Sequence, residues 1–113
     1  MEVSSTSLRV TLVQTSLLWE NPVGNCAALE EELNPLIHQT DVVILPEMFT
    51  TGFSINTSAA ELMNGASVKW MALMANRLNA LMVGSIKIKD AGHYYNRLLA
   101  VFPDGKISYY DKK

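Results

Sequence analysis

Residues 41–53 read DVVILPEMFTTGF, a short apolar strand that runs into a proline and a glutamate. The segment Asp41–Leu45 is apolar without alternation, which is typical of a central strand covered on both faces. Pro46 ends the strand because it has no backbone N–H for the ladder. Glu47 is thereby placed at the carboxyl end of the strand, the edge at which α/β sheets bind ligands.

The residues before this strand predict a strand and a helix. Residues 8–14 alternate apolar and polar, with β-branched side chains, and predict the opening strand. Asn21 followed by Pro22 predicts a helix start, because the asparagine side chain can cap the free N–H groups of the first turn and proline has a φ suited to the first helical position. Pro35 is expected to kink or end that helix. Its inward stripe, at a spacing of 3.6 residues, consists of Cys26, Leu29, Leu33, Leu36 and Ile37.

The residues after Glu47 predict a second helix and a hairpin. The helix is expected over 67–79, with an inner stripe of Val68, Met71, Ala75 and Leu78. Residues 81–88 follow as a third strand. The triplet Pro103-Asp104-Gly105 separates two further apolar segments and predicts an antiparallel hairpin, because glycine adopts the positive φ of the turn. The predicted class is α/β, in the order β-α-β-α-β-β.

Length and composition restrict the possible functions. The chain has 113 residues, 49% of them hydrophobic, which is enough for one domain with a core. A net charge of −2 without a basic cluster argues against nucleic acid as partner. No apolar run approaches the roughly 20 residues that cross a bilayer, and the N-terminus lacks a secretory signal pattern. A single cysteine permits no internal disulfide, which fits a cytoplasmic location.

Glu47 is the candidate general base. We expect its carboxylate to be surrounded by the side chains of Met48, Phe49 and Phe53. Partial desolvation would then raise the pKa of Glu47 toward neutrality. The alternative for a glutamate after a strand is a solvated side chain that caps a turn.

Lys112 is the second candidate. An ammonium group beyond the last predicted strand can stabilise an oxyanion. The alternative is a solvated lysine at a strand end, and Lys113 competes for the same role.

Cysteine and histidine carry little chemical signal in this chain. Cys26 lies on the apolar stripe of the first helix, where a thiol behaves as a small hydrophobe. His38 and His93 are far apart, and no Cys or carboxylate spacing supports a metal site. Nothing in the sequence indicates a cofactor.

Several motifs together resemble those of the nitrilase, or carbon–nitrogen hydrolase, superfamily. They are LPEMFTTGF at 45–53, Tyr-Asn at 95–96, the hairpin triplet at 103–105 and YDKK at 110–113, after an opening strand with Gln14. The chain looks most like the ω-amidase branch. The resemblance implies the first half of a four-layer αββα sandwich, in an enzyme that is usually dimeric and acts on small-molecule amides. Asn96 is interpreted as a hydrogen-bonding residue that organises its loop.

By the same resemblance, Glu47 would act as general base and acid and Lys112 would stabilise the oxyanion. Phe53 and Met48 would help to line the substrate pocket. The nucleophilic cysteine of the family has no counterpart here. We therefore expect residues 1–113 to be the N-terminal portion of one domain, truncated before that cysteine and inactive alone, with a homo-oligomer as the expected assembly.

Three alternatives remain open from the sequence. The first alternative keeps the superfamily and changes the substrate: a nitrilase, a carbamoyl-amine amidohydrolase or a deaminated-glutathione amidase. The second alternative is a non-catalytic, amidase-derived module that binds a partner through an open sheet. The third alternative is an unrelated doubly wound ligand-binding domain, although the first βα turn lacks the glycines that nucleotides require.

Overall fold

The computed structural model describes residues 7–112, which form a single mixed sheet with two helices packed on it. Lys113, the competitor of Lys112, lies outside the described residues. The elements are β1 (Val10–Leu12), α1 (Pro22–Leu33), β2 (Val42–Ile44), α2 (Ala66–Leu78), β3 (Leu81–Asp90), β4 (His93–Val101) and β5 (Ile107–Lys112). Two short 3-10 helices cover Asn34–Leu36 and Thr57–Ala59.

The five strands lie in the order β1-β2-β3-β4-β5. The strands β1, β2 and β3 are parallel, whereas β3, β4 and β5 form an antiparallel meander. The α/β class and the hairpin at 103–105 are confirmed, with Gly105 at φ +92°. The predicted order β-α-β-α-β-β counts one strand too few, although the segments identified in the sequence correspond to all five observed strands. A second tight turn, which was not predicted, joins β3 to β4. Ala91 and Gly92 form that turn with positive φ at both positions.

The sequence determines the start and end of α1 locally. The Asn21 side chain accepts a hydrogen bond from the Gly24 N–H at 2.9 Å, and Pro22 occupies the first turn. The regular helix ends at Leu33, and Pro35 lies in the 3-10 helix that follows. The predicted helix start and the effect of Pro35 are therefore confirmed.

The start of α2 is capped by a residue that precedes the helix by five positions. Gly65 at the N-cap has no side chain to offer, and the Glu61 carboxylate takes its place. It accepts hydrogen bonds from the Ser67 N–H at 2.9 Å and from the Ser67 hydroxyl. A carboxylate there also complements the positive end of the helix dipole.

The core lies between the two helices and one face of the sheet. Its fully buried members include Leu29, Leu33, Met71, Leu78, Val43, Met82 and Leu99. The predicted stripe of α2 is confirmed. The stripe of α1 is confirmed as far as Leu33, and Leu36 is partly buried against the same core. Ile37 is 37% exposed because it follows the end of the 3-10 helix.

The other sheet face is largely open, in contrast to the prediction that β2 is covered on both sides. Val43 is fully buried, whereas its neighbour Ile44 is 37% exposed. The reason is that α1 and α2 pack on the same side of the sheet. Exposed apolar residues of the open face are Val10, Leu12, Ile44, Leu98 and Tyr110. Among residues 7–112 no helix has the length and hydropathy to cross a membrane.

Candidate active site

The segment after β2 carries Glu47 across the open face of the sheet. Met48 has a positive φ of +54°, and its N–H donates to the Ser85 hydroxyl of β3 at 2.8 Å. The Gly52 N–H then bonds to the Met48 carbonyl at 2.8 Å, closing a tight turn in which Gly52 adopts φ +73°. This turn therefore has a fixed position on β3, and Glu47 begins it.

Phe49 anchors the same turn on the opposite, helix-covered side. Its side chain is fully buried and its ring lies 5.8 Å from that of Trp70. A Cβ placed on Gly84 would come within 3.0 Å of the Phe49 ring, so the glycine in β3 makes room for it. Phe49 is thus a core residue and does not wall the carboxylate of Glu47.

Glu47 and Lys112, the two predicted catalytic residues, are in direct contact. The Lys112 ammonium donates to Glu47 Oε2 at 2.5 Å, and the Asn96 amide donates to the same oxygen at 3.0 Å. Asn96 and Lys112 are paired opposite each other on β4 and β5, so both side chains lie on the open face. Asn96, interpreted from sequence as a loop organiser, is therefore a direct partner of Glu47.

The prediction of a raised pKa for Glu47 is wrong. The hydrogen bond from Lys112, and next that from Asn96, hold the pKa of Glu47 below its ordinary value and outweigh desolvation. Its side chain is 40% exposed, so burial contributes little. The cation and the amide both favour the charged form. Glu47 is accordingly a carboxylate at neutral pH, able to accept a proton.

A cleft of about 280 Å³ lies beside this group. Met48 and Asn96 both line it. Phe53 does not line it and is 71% exposed. The ring of Phe53 lies outside the site because the chain turns at Gly52.

Lys87, which the sequence interpretation missed, also lines the cleft. It is 8% exposed, and its ammonium donates to the carbonyls of Ser54 and Asn56, the latter at 3.0 Å. The signal in the sequence is a lysine within the largely apolar β3, the central strand of the sheet. Its role is to hold the loop over 54–56 against β3, which closes one side of the cleft.

Cys26 lies in the core, as predicted. Its side chain is 9% exposed, and burial, followed by the charge of Glu61, raises the pKa of the Cys26 thiol to about 11. A thiol with that pKa is almost entirely protonated at neutral pH and is a poor nucleophile. Cys26 belongs to the helix layer, on the side of the sheet opposite Glu47.

No cluster of three His, Cys, Asp or Glu side chains suited to a metal ion occurs in the described part of the chain. The candidate site consists of the Glu47 carboxylate, the Lys112 ammonium and the Asn96 amide beside a cleft. These groups can exchange a proton and stabilise a developing negative charge.

A family model described as carbon-nitrogen hydrolase matches residues 9–113. The chain belongs to the carbon–nitrogen hydrolase family. The omega-amidase YafV of Escherichia coli K12 is 36% identical over 106 residues, and that of Yersinia enterocolitica is 37% identical over 107 residues. The alignments cover 94% and 95% of this chain but 41% of each relative.

Solved structures of this hydrolase superfamily share the fold. The chain superposes on XC1258 of Xanthomonas campestris, a CN-hydrolase superfamily protein, with a TM-score of 0.91 and 45% identity, over 94% of this chain and 40% of that one. For Nit3 of Saccharomyces cerevisiae, a nitrilase superfamily member, the TM-score is 0.79 and the identity 25%, over 93% and 44% of the two chains. The chain thus spans about two-fifths of the length of these relatives, and its resemblance to the nitrilase superfamily is confirmed.

The burial of Cys26 predicts slow alkylation. We expect iodoacetamide at neutral pH to label Cys26 in the folded protein at least about 100-fold more slowly than after unfolding in guanidinium chloride, because little thiolate forms and only 9% of Cys26 is exposed. Mass spectrometry of the peptide that contains Cys26 measures both rates. Equal rates in the folded and unfolded states would contradict this placement of the thiol.

The contact between Glu47 and Lys112 predicts how the pKa of Glu47 responds to substitution. Removing the ammonium in Lys112→Met withdraws a group that favours the carboxylate, so the pKa of Glu47 is expected to rise toward its ordinary value. Asn96→Leu is expected to raise the pKa less, because Lys112 is the larger cause. Carboxyl ¹³C NMR titration measures these shifts, with Lys106→Met as a control. If the pKa of Glu47 were unchanged in Lys112→Met, the Glu47 carboxylate and the Lys112 ammonium would not be in contact.

Proposed function

We propose that residues 1–113 are the N-terminal part of a domain that hydrolyses the terminal amide of a short monoamide, such as 2-oxoglutaramate, to an acid and ammonia. Two findings support the proposal: membership of the carbon–nitrogen hydrolase family and the similarity to two proteins named omega-amidase. The observation that carries it is the contact of Glu47 with Lys112 beside a cleft.

The proposed reaction begins with attack of a cysteine thiol on the amide carbon. Glu47 accepts the thiol proton, and the carbonyl oxygen becomes an oxyanion beside the Lys112 ammonium. Glu47 then returns the proton to the leaving nitrogen, so that ammonia departs and a thioester remains. Water then donates a proton to Glu47 and attacks the thioester. Glu47 returns that proton to the departing sulfur, so that the acid is released and the free thiol is regenerated.

The nucleophile in this scheme is a cysteine outside residues 1–113. Cys26 cannot supply it, because it lies in the helix layer with a pKa of about 11. We therefore propose that the chain alone is inactive and that a later segment of the complete protein brings the reactive thiol to Glu47.

The substrate is proposed to occupy the cleft beside Asn96. Met48 would contact its carbon chain, since this side chain lines the cleft. Phe53 would contribute only if a further segment or a second subunit covered its ring, which is 71% exposed here.

The complete protein is proposed to be a cytoplasmic homo-oligomer. The exposed apolar residues on the open face of the sheet support association with another layer of protein, because large exposed apolar patches commonly mark interaction surfaces. The same face is the observation that favours the second candidate, a non-catalytic binding module derived from an amidase. Other amidase substrates of the superfamily are the remaining alternatives.

Ammonia release from the complete protein tests the proposed function. We expect release from 2-oxoglutaramate, and no release by residues 1–113 alone. Glu47→Gln removes the base and Lys112→Met removes the oxyanion partner, so each is expected to lower kcat/KM by about 100-fold or more. A nitrile, a carbamoyl amine and deaminated glutathione, assayed in parallel, separate the alternative substrates.

Two exposed charged residues provide matched controls. Glu31→Gln and Lys106→Met make the same chemical changes on the outer face of α1 and at the hairpin turn, and are expected to leave kcat/KM unchanged. Release of ammonia by residues 1–113 would refute the need for an external nucleophile. Full activity of Glu47→Gln would refute the assignment of the base.

A further inference from the structure

Arg97 is the most deeply buried charged residue near the candidate site, and the proposed reaction does not use it. Its side chain is 3% exposed on β4, on the helix-covered side of the sheet. It forms a bidentate pair with Asp111 of β5, through Nε at 2.7 Å and Nη2 at 3.1 Å. The remaining nitrogen, Nη1, donates to Asp90 at 2.8 Å. Each nitrogen of the guanidinium therefore has a carboxylate partner.

Two aromatic rings complete the surroundings of this guanidinium. Its central carbon lies 4.0 Å from the centroid of Tyr109 and 5.0 Å from that of Tyr95. Both are contacts of the cation–π type. The planar group is thus fixed in position and in orientation, which a lysine ammonium would not achieve.

Buried ion pairs add little net stability, because desolvation offsets most of the attraction. What a bidentate arginine–carboxylate pair does supply is defined geometry. Here the pair joins the last residues of β5 to β4, where Arg97 and Asp111 are paired directly across the two strands.

The neighbouring pair in the same register is Asn96 and Lys112. Successive side chains of a strand point to opposite faces, so Arg97 and Asp111 lie on one face while Asn96 and Lys112 lie on the other. Both members of this second pair donate to Glu47 Oε2. The ion pair on the covered face is therefore adjacent in register to the two partners of Glu47 on the open face.

We propose that Arg97 is a positioning residue of the active site, which holds the end of β5 through Asp111 so that Lys112 and Asn96 remain on Glu47. The inference deepens the proposed amidase function and rests on it for its catalytic meaning.

The test uses the complete protein and three variants. Arg97→Lys keeps the charge but loses the bidentate geometry, Arg97→Met removes the charge, and Asp111→Asn changes the partner with little change in shape. The first readout is the carboxyl ¹³C titration of Glu47. Loss of the Lys112 contact removes the main cause of the low pKa of Glu47, so this pKa is expected to rise in each variant, in the same direction as expected for Lys112→Met.

The second readout is the kinetics of ammonia release. We expect kcat to fall about 10-fold to 100-fold with little change in KM, because the reacting groups are displaced while the cleft remains. The acid limb of the kcat/KM profile is expected to move to higher pH with the pKa of Glu47. Arg77→Met is the matched control. It breaks an ion pair with Glu30 between the two helices, at 2.9 Å, and is expected to change neither readout.

The two readouts separate failure of the inference from failure of the proposed function. If Arg97→Lys and Asp111→Asn lower the melting temperature but leave the titration of Glu47 unchanged, Arg97 is merely structural and the inference is overturned. If the wild-type protein releases no ammonia, the proposed amidase function fails. A raised pKa of Glu47 in the variants would still support the positioning role in that case.

Discussion

The register of β4 against β5 is the constraint on which the candidate site depends. Glu47 and Lys112 are 65 positions apart in the chain, and the pairing of Asn96 with Lys112 places both donors on the same carboxylate oxygen. A slip of one residue would move the Lys112 side chain to the helix-covered face, because side chains alternate along a strand. The turn at Gly105 sets this register at one end of the hairpin, and the pair of Arg97 with Asp111 holds it at the other.

The hydrophobic core and the candidate site lie on opposite faces of the sheet. Both helices pack on one face of the sheet and bury the core there, including Cys26. The open face carries Glu47, Lys112 and the cleft. Phe49 connects the two sides, since it is buried among the core residues while the preceding Glu47 reaches across β4 and β5. The turn that holds Glu47 is therefore fixed by the core without being part of it.

Local signals in the sequence were enough to predict much of this fold. Three features are determined by residues that are close together in the chain. They are the start of α1 at Asn21 and Pro22, the buried stripe of α2, and the hairpin turn before Lys106. The pKa of Glu47 was predicted in the wrong direction because its exposure and its partner are tertiary properties. Lys87 was missed for a similar reason, since its burial depends on carbonyl groups more than 30 residues earlier. The turn at Ala91 was missed because alanine rarely adopts a positive φ.

A crystal structure of the complete protein would test the central claim most directly, through the position of one ammonium group. The account predicts that Lys112 Nζ and Asn96 Nδ2 both lie within hydrogen-bonding distance of the same oxygen of Glu47, with the reactive cysteine of the remaining chain facing them across the cleft. An ammonium from Lys113 in that position, or a Glu47 side chain turned away from β5, would contradict it.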